Sequence, residues 1–161
     1  MQKPTRSELL VLAGLVALAA LIFQHNVARA QPLAKAPVFA EFRSKRALDG
    51  YDPVAYFKAG KPEKGKAAHA VTWNGATWHF TSAENKAAFE ASPQAFAPQY
   101  GGYCAWAVSE GYTAKGDPGA WRIVNGKLYL NYNASVQKSW EGDIPGRIAK
   151  GDKNWPTVLA K

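Results

Sequence analysis

The chain has 161 residues, with 20 Lys and Arg against 12 Asp and Glu for a formal charge of +8, enough length for one hydrophobic core and little room for two. A single cysteine excludes an internal disulfide, and lysines scattered among Gly, Pro and Ala without a run of five describe a solvated surface rather than a nucleic-acid face. Six Trp, seven Tyr and seven Phe must then supply the packing that holds the core.

At the start, Lys3 and Arg6 precede an apolar run from Leu9 to Phe23, and Ala28-Arg29-Ala30 closes the segment. This charged, apolar, small-x-small order predicts a secretory signal over residues 1–30, cleaved after Ala30. The run is shorter than the roughly 20 residues that span a bilayer core, so a cleaved signal is the leading expectation. The alternative is an uncleaved membrane anchor in which Gln24 to Val27 enter the interface. Either way residues 47–161 work outside the cytoplasm, in the periplasm or as a secreted product. Gln31 to Lys45 holds two Pro and several Ala with no sustained period, so residues 31–46 are expected to be a linker.

In the domain itself, Asp52-Pro53 marks a turn and Val54 to Phe57 a short apolar stretch. Residues 69–80 are two β-prone runs joined by Asn74-Gly75, the dipeptide of a two-residue type I′ hairpin. Pairing outward sets Trp73 opposite Ala76, Val71 opposite Trp78 and His69 opposite Phe80 on a core face, with Thr72, Thr77 and His79 on the polar one. Thr81-Ser82-Ala83-Glu84 has capping-box spacing, which predicts a helix from Ala83 to Ala91 that Pro93 stops. A second Asn-Gly turn at Asn125-Gly126 joins Trp121–Val124 to Lys127–Tyr132, and Asn133 offers a helix start leading to Trp140.

A shift of 51 places Asn74 on Asn125, Ser82 on Asn133 and Phe89 on Trp140, which reads either as two repeated hairpin-plus-helix units packed on one another or as two similar hairpins of independent origin. Between them Gly101-Gly102 allows a sharp turn, and a short helix is expected near Tyr103. From Gly142 onward Pro145, Gly146, Gly151 and Pro156 predict short helical turns. The fold class is therefore α+β, small antiparallel hairpins with packed short helices.

The strings YDPVAYF at Tyr51–Phe57 and WNGATWHFTSAENKAAF at Trp73–Phe89, followed by a Pro and an aromatic, resemble the YHS domain family over about residues 47–140. QYGGYCA with a following aromatic at Gln99–Trp106, and LYLNYN at Leu128–Asn133, resemble an exported bacterial group within it. The resemblance implies a degenerate treble-clef-like core. It also implies a metal module whose cysteines follow Asp-Pro-Val and flank the helix start, but the matching positions here are Ala55, Thr81 and Asn85. None of these is a thiolate, so that metal site does not carry over.

Cys104 is the sharpest chemical candidate. Beside Gly-Gly at a helix start, backbone N–H groups and the helix dipole would favour its thiolate, while burial between Tyr103 and Trp106 as a small hydrophobe is the competing expectation. His79 on the polar hairpin face is a ligand or proton carrier, or a solvated histidine. His69 reads as structural, His25 leaves with the signal, and Asp52 is expected to hydrogen-bond its own turn. No HExxH, GxSxG, P-loop or paired-carboxylate pattern occurs.

The leading expectation is a non-enzymatic exported protein binding a soft metal, copper or zinc, through Cys104 and His79, with Asp52 and Tyr103 in support. Two ligands are few, so a homodimer sharing a site and a metal-donor partner protein belong to this expectation. The alternatives are thiol redox chemistry of Cys104 with a partner protein, and a ligand- or protein-interaction module without a reactive group.

Overall fold

The computed structural model describes residues 34–160, so the expected export signal lies outside the described residues. Among the described residues six α-helices and four strands run in the order α1 Ala55–Lys58, β1 Lys66–Trp73, β2 Ala76–Phe80, α2 Ala83–Ala91, α3 Pro93–Phe96, α4 Ala105–Ser109, β3 Asp117–Val124, β4 Lys127–Asn131, α5 Ala134–Glu141 and α6 Ile144–Asn154. β1 pairs with β2 and β3 with β4, both antiparallel, in separate two-stranded sheets. The α+β class of hairpins and packed short helices is thus as the sequence predicts. Among the described residues no helix is long and apolar enough to cross a membrane.

Each hairpin is closed by its Asn-Gly pair in the left-handed region, with φ 50° and 78° at Asn74 and Gly75 and 51° and 73° at Asn125 and Gly126. Trp73 faces Ala76 and Val71 faces Trp78, but Phe80 pairs with Lys66 rather than His69. A register shift between Lys66 and Ala70 takes up the difference, a bulge that side-chain alternation alone does not reveal. The second hairpin carries the same shift between Asp117 and Trp121, and its first strand starts four residues before the expected Trp121.

The repeat extends beyond the hairpins. Leu48, Asp49 and Gly50 form a 3-10 turn with positive φ, and Tyr100, Gly101 and Gly102 form its counterpart. Behind these turns, Tyr51 bridges Lys64 and Tyr103 bridges Lys115. Gly65 N–H donates to the Gly50 carbonyl at 2.9 Å, and Gly116 N–H to that of Gly102 at 3.1 Å. After each hairpin a polar side chain caps the next helix: Ser82 accepts from Asn85 N–H and Asn133 from Val136 N–H. The α2 cap is therefore Ser82 and not Thr81, whose hydroxyl is engaged elsewhere.

Each repeat buries one aromatic from its capped helix, Phe89 from α2 and Trp140 from α5. In the first core the rings of Trp78 and Phe80 each pack tilted against that of Phe89, with centroids 5.2 Å away. β4 joins the two cores because its side chains alternate: Leu128 and Leu130 enter the first, while Tyr129 enters the second beside Trp140. Burying side chains of this size contributes roughly 1.5–3 kcal/mol each. The halves also meet at Tyr56, whose ring packs edge-on against Trp121 and whose hydroxyl donates to the Pro118 carbonyl at 2.9 Å.

Two expectations are corrected outside the repeats. The described part of the stretch read as a linker is pinned to the body: Val38 is buried in the first core, Phe39 N–H donates to Gly101 O at 2.9 Å, and Lys35 N–H to Leu159 O at 2.7 Å. Gly101 is required there, because a Cβ at its position would collide with the Pro37 carbonyl. The closing segment forms an 11-residue helix, α6, rather than short turns. Asp143 caps it, and its packing against α4 outweighs the helix cost of Gly146 and Gly151.

Candidate functional site

Asp52 and Cys104 occupy the same position in the two repeats. Asp52 N–H donates to Glu63 O at 2.8 Å, and Cys104 N–H to Ala114 O at 2.9 Å. Each residue immediately follows the bridged tyrosine and leads into the repeat's first short helix. Their surroundings then diverge.

Asp52 is fully buried, and its carboxylate is saturated. Oδ1 accepts from Val54 N–H at 2.8 Å and Ala55 N–H at 3.3 Å. Oδ2 accepts from Thr81 N–H at 2.9 Å, Thr81 Oγ1 at 2.8 Å and Asn85 Nδ2 at 2.7 Å. Lys58 Nζ reaches Asn85 Oδ1 at 3.3 Å, so a cation stands one amide away from the buried charge. Ala55, Thr81 and Asn85 are the positions where the YHS resemblance would place thiolates. Here they converge on a carboxylate whose acceptor sites are filled by protein donors, which ties the turn to the hairpin end and the α2 start. The expectation that Asp52 bonds its own turn holds, and its reach to Thr81 and Asn85 exceeds it.

Cys104 is also buried, at 1% exposure, but its sulfur has one weak polar neighbour, Asn131 Oδ1 at 3.9 Å. Asn131 is fully buried at the end of β4. Its Oδ1 accepts Trp106 N–H at 3.2 Å, which fixes the amide orientation, and its Nδ2 has no partner. Beside Cys104 opens a cavity of about 230 Å³ walled by Trp106, Tyr112, Tyr132 and Val136. Trp106 meets Tyr112 edge-on at 6.3 Å, and the Arg147 guanidinium lies 5.3 Å over the other ring system of the pair, Trp106. Tyr112 and Tyr132 are each 47% exposed and form the mouth. No carboxylate, lysine, arginine or histidine lines this cavity.

The structure does not bring His79 to Cys104. His79 lies on the first hairpin opposite Ala70, whereas Cys104 bridges Leu130 on the second. Partial burial and the nearby Arg46 guanidinium hold the His79 imidazole below its ordinary pKa. Among the described residues no group of three or more His, Cys, Asp or Glu could hold a metal ion. Tyr103 is a packing residue: its ring stands edge-on to Phe39, its hydroxyl donates to Ala36 O at 2.9 Å, and burial raises its pKa. Its side-chain partners are Ala36, Phe39 and Trp155, so Tyr103 holds the N-terminal strap.

Sequence reasoning missed Asn131, Tyr112 and Tyr132. Asn131 carried a signal, a polar residue directly after the apolar Leu128-Tyr129-Leu130 run, at a register position equivalent to buried Phe80. The two tyrosines carried none, because they join only when the hairpin folds back on the α4 turn. No protein-family model, curated protein or solved structure matches this chain.

Proposed function

We propose that the chain is a non-enzymatic binding module, acting outside the cytoplasm, whose ligand seat is the aromatic-walled cavity over Cys104. The observation that carries this reading is the position of the thiol beside a cavity with three aromatic walls and no charged lining. Such a site takes a small, mostly apolar occupant, and its sulfur serves as a soft contact. At about 230 Å³ the cavity is smaller than the roughly 300–1,000 Å³ of drug-sized sites, so the occupant is small as well. Acid–base catalysis has no support here, since no base lies against the thiol. Copper or zinc at Cys104 would draw its other donors from outside the chain, from a second copy or a partner protein.

Thiol modification tests this reading. Methyl methanethiosulfonate is small enough to reach the sulfur, and toluene in the cavity should slow the reaction in a saturable way. An Ala107→Leu variant that fills the cavity should abolish that protection while keeping the fold. A modification rate indifferent to toluene would reject the cavity as a seat. Stoichiometric Cu(I) binding under reducing conditions, lost in Cys104→Ser and accompanied by dimer formation, would replace this reading with the metal one.

A further inference from the structure

We infer that a second site, independent of Cys104, lies in the cleft between the two hairpin tips and binds a small amphipathic anion: a flat apolar body ending in a carboxylate. The cleft has a volume of about 410 Å³, within the roughly 300–1,000 Å³ typical of small-molecule sites. It forms where the two repeats, the N-terminal strap and the C-terminal segment converge, so its walls come from chain regions far apart in sequence.

Its floor and its rim differ in chemistry. Trp78, Tyr100 and Leu159 are buried beneath it, and the partly buried Trp73 and Trp155 form its sides. Aromatic faces of this kind accept flat or aliphatic groups through dispersion and area removed from water. The rim carries Lys127, Gln94 and Gln99, and no carboxylate is among the lining residues. Lys127 is exposed and forms no ion pair among the described residues, and neither glutamine side chain is engaged in a hydrogen bond there. One cation with uncommitted amide donors suits an oxyanion. An ammonium ligand would meet Lys127 and find no counter-charge.

The probe pair 3-phenylpropionate and 3-phenylpropanamide shares one apolar body and differs in charge. In the full folded domain, 3-phenylpropionate should shift the indole N–H resonances of Trp73 and Trp155 saturably and leave that of Trp106 in place. The amide should bind about fivefold more weakly, the size of one partly exposed ion pair. Lys127→Met should bring the acid down to the level of the amide, and Cys104→Ser should change neither affinity. The inference is overturned if the acid causes no saturable shift at millimolar concentration. It is equally overturned if acid and amide bind alike and Lys127→Met is without effect, or if the shifts appear at Trp106 instead.

Discussion

Asp52 and Cys104 stand at one position of a repeated plan, yet the first is surrounded by five hydrogen-bond donors and the second by an orphaned amide and a void. The backbone that builds the position is the same in both halves: a left-handed 3-10 turn, a bridged tyrosine, a bulged hairpin and a capped helix. What differs is what fills the centre. In the first half Thr81 and Asn85 close on the carboxylate. In the second the residue following β4 is Tyr132, which turns toward solvent and leaves space beside the sulfur. A saturated centre fixes a fold, whereas an unsaturated one can accept a ligand.

The comparison breaks most directly at Asp52. Asp52→Ala would leave two backbone N–H groups at the start of α1, together with the partly buried Thr81 and Asn85, without the buried acceptor they share. Unpaired buried donors of this kind cost about 3–5 kcal/mol in total. Urea denaturation should show that loss, and a change under about 1 kcal/mol would mean that water replaces the carboxylate freely.

The turns offer a control in which the halves should agree. A Cβ at Gly75 or Gly126 meets nothing within 4 Å, so a substitution there is opposed by backbone geometry alone. Gly75→Val and Gly126→Val should each destabilise by about 1–3 kcal/mol, and by similar amounts. Thermal melts that differ widely between the two variants would show that the hairpins are not equivalent scaffolds.

Cys104→Ala should have a smaller effect than either, about 1 kcal/mol or less, because the sulfur already borders a cavity and its polar neighbour, Asn131 Oδ1, stands 3.9 Å away. The variant should also keep its melting cooperativity while losing the toluene-protected thiol. A loss as large as that of Asp52→Ala would assign Cys104 to the core and remove the contrast between the two centres.

Much of this architecture was legible in the chain because its signals are local. The Asn-Gly pairs, the Ala83–Ala91 helix, the second helix start at Asn133 and the 51-residue shift all depend on neighbouring residues. The bulge after Lys66 was not legible, since three residues, Ala67 to His69, lie unpaired between Lys66 and Ala70 while Phe80 and His79 are adjacent on the partner strand, and no local signal in the sequence marks such a break. The strap was also missed: Val38 and Phe39 are ordinary apolar residues in a Pro- and Ala-containing stretch, and only Gly101 and Leu159, far along the chain, give their backbone partners. At the site, Cys104 and Asp52 were visible as residues, but their equivalence required the turns at Leu48–Gly50 and Gln99–Gly102 to be seen as copies. His79 was linked to Cys104 by chemistry alone, and the topology sets them on different hairpins.

The smallest effect separates the halves by pH. His79 belongs to the first hairpin, and β4 has Leu130 at the equivalent position, so the second half has no counterpart to titrate. Burial first, and then the Arg46 charge, favour the neutral imidazole, which places the folded-state pKa below the unfolded value of about 6.5. Between those two values the unfolded chain binds more protons than the folded one, so stability rises with pH in that window. The contribution is complete above about pH 6.5 and is lost as the pH falls through the folded-state value. Because His79 is partly exposed, screening keeps the change modest. Urea midpoints measured from pH 7.5 down to pH 5 should therefore fall slightly in the wild type and less in His79→Gln, with Arg46→Gln giving an intermediate slope. A midpoint that rises on acidification, or a slope unchanged in both variants, would show that Arg46 does not oppose the protonation of His79.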